Sequence, residues 1–216
     1  LDEFSTRIYG QSNEREILYL DIYPGDPSSE TYLGIIAHEF QHMIHFYHNF
    51  QETKWVNEGF SQLAFFLNGY GHAPQLFAFI KKADTQLTTF GNTIENYGAV
   101  YAWFYYLYSK YFGDTDEKKA EAIRYIVDSK LLGMDSIADL LKKRNVAKSV
   151  YQIFDEWTIA NFINDTTIDK AFGYDDSLKF KQQPEVVIPF ASVNGKESKG
   201  TINPMAADYI SFVNEI

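Results

Sequence analysis

The chain of 216 residues contains no cysteine. Disulfides, thiolate metal sites and a thiol nucleophile are therefore outside its chemistry. Basic residues are in deficit: 19 Lys and Arg stand against 29 Asp and Glu, for a net charge of −10. A surplus of that sign argues against nucleic acid or an anionic membrane as the main partner. No apolar run reaches the length of a membrane span. The richest stretch, VYAWFYYLYSKYF at 100–112, is aromatic rather than aliphatic and is broken by Ser109 and Lys110. Internal repeats and low-complexity tracts are missing as well. The chain starts at Leu1 without a charged-then-apolar leader, which reads as a mature form or an excised domain.

What is present is a predominantly helical pattern. EILYLDIY at 16–23 reads as a strand closed by Pro24 and Gly25. A helix is predicted over 28–48, with Asp26 as cap, Pro27 at its first position and Glu30 at the positive end. Its apolar residues Leu33, Ile36, Ala37, Phe40, Ile44 and Tyr47 recur at three and four and are expected to face the core. Further helices are predicted over 55–71, 74–82, 97–112, 116–130, 137–144 and 149–164. After Pro184 two β-branched and aromatic runs, 186–193 and 207–213, read as strands. The fold class is mainly α with a small β component (α+β), with the boundary between helical and strand-rich parts near 183/184.

Histidine is rare too, five in all, yet four fall in AHEFQHMIHFYH at 37–48, of which His38, His42 and His45 lie roughly opposite the apolar stripe. His38 and His42 enclose a glutamate as H-E-x-x-H. Two histidines four apart project from one helix face a turn apart, so both imidazoles reach a single ion at about 2.0–2.1 Å. Glu39, beside the first, is set to act on water rather than to ligate. The same pattern also fits a solvated helix face. A hydrolytic site needs a third protein ligand and an open position. Glu58, in WVNEGFSQ, falls in the predicted first turn of the second helix. The short QETK connection doubles that helix back beside the first and can return Glu58 to the histidines. A carboxylate near a helix start is favourable in its own right, so its position alone does not decide.

HEFQH followed by NEGFS resembles the gluzincin metallopeptidases, and most of all the hyicolysin-like peptidases, in which H-E-F-Q-H and W-x-N-E-G lie close together. The resemblance covers residues 37–62, with a looser echo at 97–107. It implies a zincin-like catalytic domain over 1–183, a strand-rich segment over 184–216 packed on it, and one Zn2+. It implies His38, His42 and Glu58 as ligands, Glu39 as general base, peptide or protein substrates, and a secreted or surface setting in a bacterium. In the N-E-x-x-S-D pattern of relatives an aspartate orients a ligand histidine. Here that place is Gln62, whose amide can accept an imidazole N–H but brings no charge. For the group that stabilises the oxyanion, the resemblance points to Tyr97, before Gly98, with Tyr101 one turn later as substitute. Against both stands the count of 16 tyrosines, since large aromatics at helical spacing commonly fill cores.

His45 is a rival third ligand. Three ligands on consecutive turns would spread over about 10 Å of axis, which suits one tetrahedral ion badly, so His45 is expected to support the site or to lie exposed. His48 and His72 are given no role. The 16–23 strand reads either as an edge that pairs with an extended peptide or as an interior strand. So little precedes it that the sheet of a zincin would need strands upstream of Leu1. The alternative from a different class is a catalytically inactive zincin-fold module that binds peptides or partners. A deformylase-like amidase needs a cysteine ligand and is excluded. A separate β-domain of about 33 residues is too small to hold its own core.

Overall fold

The computed structural model describes residues 17–175, 177–179, 183–185, 188–191 and 201–213. Among them run α1 (Glu30–Asn49), α2 (Lys54–Leu67), α3 (Leu76–Lys81), α4 (Ile94–Lys110), α5 (Asp116–Val127), α6 (Met134–Lys143) and α7 (Val150–Ile163), then β1 (Ile188–Ala191) and β2 (Ile210–Val213). The molecule is mainly helical. The helix starts follow from short polar side chains. Ser29 accepts from the Tyr32 amide, Thr93 forms a capping box with Asn96, and Ser149 forms one with Gln152. The cap of α1 is therefore Ser29, not Asp26, whose carboxylate instead accepts from Ser28 in the turn before it.

α4 is the axis of the molecule. Residues 99–107 are buried on every side, so the aromatic run is a core helix that contacts α2 and α3 along its length. Two close approaches fix the layers around it. A Cβ on Gly59 would lie 2.1 Å from the Phe104 ring, and one on Gly98 would lie 2.2 Å from the Gln75 carbonyl. α2 and α3 can reach α4 only where these side chains are missing.

α1 and α2 form an antiparallel hairpin joined by residues 50–53: Gly34 meets Phe65, while further along α1 His45 meets Phe60. The connection is pinned by Glu52, whose carboxylate accepts from the Gly133 amide at 2.8 Å, and by Asn49, which donates to the Ser129 carbonyl. Here the structure reverses one expectation. The stripe predicted to face the core is the outer side of α1: among the described residues Phe40 is 53% and Tyr47 80% exposed, and Leu33 and Ile44 are exposed too. The buried positions are Tyr32, Gly34, His45 and Asn49. The seam is polar because Gly34 lets the Phe65 ring approach the helix backbone and because the histidines are drawn towards a carboxylate on α2.

The predicted strand at 16–23 is not formed. Residues 17–22 have no ladder partner among the described residues and expose Tyr19 and Ile22, while Glu16 lies outside them. An edge strand laid out for a substrate is absent from this stretch. β1 and β2 fall within the two predicted C-terminal runs and pair in parallel, Ile188 opposite Ile210. Before β2, the Leu87 amide donates to the Met205 carbonyl, the Tyr209 hydroxyl donates to the Thr158 carbonyl, and the Tyr209 ring stacks on Phe162.

Candidate metal centre

The hairpin brings His38, His42 and Glu58 together. The two Nε2 atoms are 3.0 Å apart, and the Glu58 Oε2 lies 3.4 Å from that of His38 and 3.5 Å from that of His42. An ion with bonds of about 2.0–2.1 Å in tetrahedral geometry holds its ligand atoms about 3.3 Å apart. The three distances have that size. Glu58 is buried, yet its Oε2 accepts no hydrogen bond, although it points at two imidazole nitrogens. A buried acceptor is seldom left without a partner, and a cation in the centre of the triangle supplies one. The group can hold a metal ion.

The protonation state of Glu58 suits that role, while a proton held by His42 is one that an ion would displace. Burial opposes the charge on Glu58, but the two histidines outweigh it and pull the carboxyl down to about 2, so it is a carboxylate at neutral pH. Burial likewise opposes charge on His42, and Glu58 and Asn57 overcome it and raise the imidazole. The other nitrogen of His42, Nδ1, meets the Asn57 Oδ1, and the Ser61 hydroxyl stands 3.0 Å away. With its proton on Nδ1, donated to the Asn57 carbonyl, the ring turns the Nε2 lone pair towards Glu58 and His38.

This support comes from Asn57 and Ser61, which hold the N and S places of the N-E-x-x-S-D pattern but had been given no role. Gln62 was the expected orienting residue; it is buried but makes no hydrogen bond to either histidine. Asn57 and Ser61 are four apart and share a face of α2, so their places in that pattern could have marked them. Gly59, beside the ligand, sets how close α2 lies to Phe104.

Glu39 follows His38 on α1, half-buried, with no hydrogen bond or ion pair among the described residues. Tyr97 enters from the first turns of α4, with its ring centroid 6.4 Å from that of His38. Burial raises its hydroxyl above the ordinary range, and the charges of Glu58 and Glu39 add to the effect, so Tyr97 is a proton donor at neutral pH. Among the described residues nothing bonds to that hydroxyl. Tyr101, the substitute, is fully buried, and its hydroxyl donates to His72 Nδ1 at 2.6 Å. His72 therefore has a structural role that the sequence did not show: its ring stacks on Phe66 and its Nε2 lies 3.1 Å from the Ser177 carbonyl. His48 pairs with Asp128 at 2.6 Å.

Comparison with protein-family models and with curated proteins gives no match. The site is legible from its own geometry alone.

His45 is neither a ligand nor exposed. It is wholly buried beside Phe60, both ring nitrogens lack a hydrogen bond, and burial lowers its pKa to about 4, helped by the charges of His42 and His48. The folded state therefore favours the neutral ring, whereas the unfolded chain takes up the proton near 6.5. Between those values the unfolded state binds more protons, so stability is full above about pH 6.5 and is lost as the pH falls towards 4. A shift from 6.5 to about 4 corresponds to roughly 3 kcal/mol. Urea unfolding of the metal-free protein at about pH 7 and about pH 4 should show this loss, and His45→Leu should remove most of it. An unchanged difference in the variant would place the acid sensitivity elsewhere.

Proposed function

We propose that the chain is a zinc-dependent peptidase of gluzincin type, held together at His38, His42 and Glu58. One observation supports the reading: three ligand atoms at tetrahedral spacing lie near Glu39, whose charge acts on His42 and Tyr97, and near the Tyr97 ring of a third helix. Among the described residues neither Glu39 nor the Tyr97 hydroxyl has a hydrogen-bond partner. Two imidazoles and one carboxylate form a donor set that suits zinc, and the open fourth position is the mark of a catalytic rather than a structural site. When bound, such an ion polarises a carbonyl and brings the pKa of water towards neutrality.

The protein supplies the remaining parts. Glu39 accepts the proton of the attacking water and returns it to the leaving amine. Tyr97, kept protonated by burial and two nearby carboxylates, donates a hydrogen bond to the developing oxyanion. Asn57 and Ser61 hold the His42 ring through both steps. The zincin-like fold, the peptide or protein substrate and a secreted or surface setting belong to the same proposal.

Zinc content measured by plasma mass spectrometry, on protein purified without chelators, should come to about one ion per chain. An unfolded protein such as casein should be cut, with activity lost to phenanthroline and restored by zinc. A protein that takes up no zinc even on reconstitution would end the reading. Zinc without cleavage of any unfolded chain would leave only a peptide-binding module.

A further inference from the structure

We infer that Lys54 selects substrates that carry a carboxylate within about three residues of the cleaved bond. This rests on the peptidase reading and assigns that site a substrate class.

Two independent paths lead from Lys54 to the metal ligands. Along α2, Lys54 is the first residue and stands four before Glu58. Residues at that spacing share a face, with Cβ atoms about 5–6 Å apart. Across the surface, the Lys54 Nζ lies 5.6 Å from the centre of the Phe90 ring. Phe90 meets Tyr97 edge to face at 5.0 Å, and Tyr97 is 6.4 Å from His38. The two rings form a wall from the ligands outward, and the ammonium sits on it.

The charge is free. Lys82, Lys118 and Lys148 are each paired with a carboxylate. Lys54 is exposed, and among the described residues its ammonium has no anion, only the Phe90 ring. In a chain with ten more acids than bases, this ammonium brings a positive charge beside the site. Its position is also unfavourable in local terms. A cation in the first turn opposes the helix dipole, and α2 has no acidic residue in that turn to relieve it. The ammonium adds to the positive end of α2, part of which the Glu52 carboxylate offsets by accepting from the Thr53 amide. A substrate carboxylate is the group that benefits. Without Lys54 such a substrate would have only the ion to offset Glu39 and Glu58.

Reach sets the distance from the bond. One extended residue covers about 3.3–3.6 Å. A lysine one helical turn from Glu58, with a stem that lies along the ring wall, meets a carboxylate one to three residues away. The exposure of the ammonium makes the attraction modest and sensitive to salt.

Two series of peptides, identical except for Glu or Gln at each position around a single cleavable bond, provide the probe. At one position within three of the bond, the Glu peptide should be cut with roughly fivefold higher kcat/KM at low salt. The ratio should fall to about one in Lys54→Gln and invert in Lys54→Glu, which should then favour Lys over Gln at that position. A ratio near one in the wild type, or one unchanged in Lys54→Gln, overturns the proposal while leaving the peptidase intact. Fluorescence anisotropy of the same labelled peptides on zinc-loaded Glu39→Gln protein reads the preference without turnover. If no peptide is cut but the Glu peptide binds more tightly through Lys54, the selection stands and the hydrolysis fails. Equal binding of both peptides overturns the selection as well.

Discussion

Glu39→Gln is expected to keep the ion and to lose the proposed hydrolysis by on the order of 10³-fold. The substitution changes one oxygen for nitrogen and leaves the shape of the side chain intact. What disappears is a group able to take a proton from water and to give it up again. Because Glu39 has no hydrogen bond or ion pair among the described residues, no folded contact depends on its charge. Stability should therefore remain within about 0.5 kcal/mol of the wild type. Three measurements on one preparation separate the possibilities: zinc per chain, the urea midpoint, and the rate of casein cleavage. Equal zinc and an equal midpoint with a collapsed rate identify Glu39 as the base. Retained cleavage would give that task to another group.

Glu58→Ala is expected to fail one step earlier, at the ion. Losing a residue that merely orients a ligand typically weakens metal affinity by about 10–100-fold, so losing a ligand should cost at least about a hundredfold. The variant should emerge from purification with zinc far below one per chain. His38 and His42 remain on one turn of α1, and Asn57 and Ser61 still hold the His42 ring, so the loss reports the missing carboxylate rather than a displaced pair. A second readout is independent of metal. Burial opposes charge on His42 and Glu58 does most to raise it, so the His42 imidazole should titrate lower in the metal-free variant, as NMR would follow. Unchanged zinc affinity would call for a different third ligand.

The parts of the site that follow a short period were legible in the sequence. H-E-x-x-H needs only one helical turn, and Glu58 needs only a short connection and a second helix. The fold supplies both within residues 30–67. What stayed hidden depended on which side of α1 faces inward. Hydropathy placed Phe40 and Tyr47 in the core and the histidines in water. Hydropathy has no term for a glycine that admits a ring or for a carboxylate that draws two imidazoles inward. The strand reading of 16–23 failed for a related reason: a pattern of Ile, Leu and Tyr describes one strand but not the neighbour it must pair with. His72 and Tyr101 meet across 29 positions, and Ser177 joins them from 105 positions away, so no local period could have paired them.

The placement of Gly59 and Gly98 affects how substitutions in this chain will be read. Each directly follows a residue of the proposed site, Glu58 and Tyr97, and each marks a point where a neighbouring element presses against its helix. A saturation scan scored by activity would therefore mark the pairs 58–59 and 97–98 as equally intolerant. Only half of those positions would hold the ion or meet a substrate. The other half would fail because a methyl group has no room, and their loss would register in soluble yield and melting before it registered in turnover per folded molecule. Scored on activity alone, two packing glycines would be mistaken for catalytic machinery. Scored on abundance as well, the same data would separate the chemistry from the spacing that holds it.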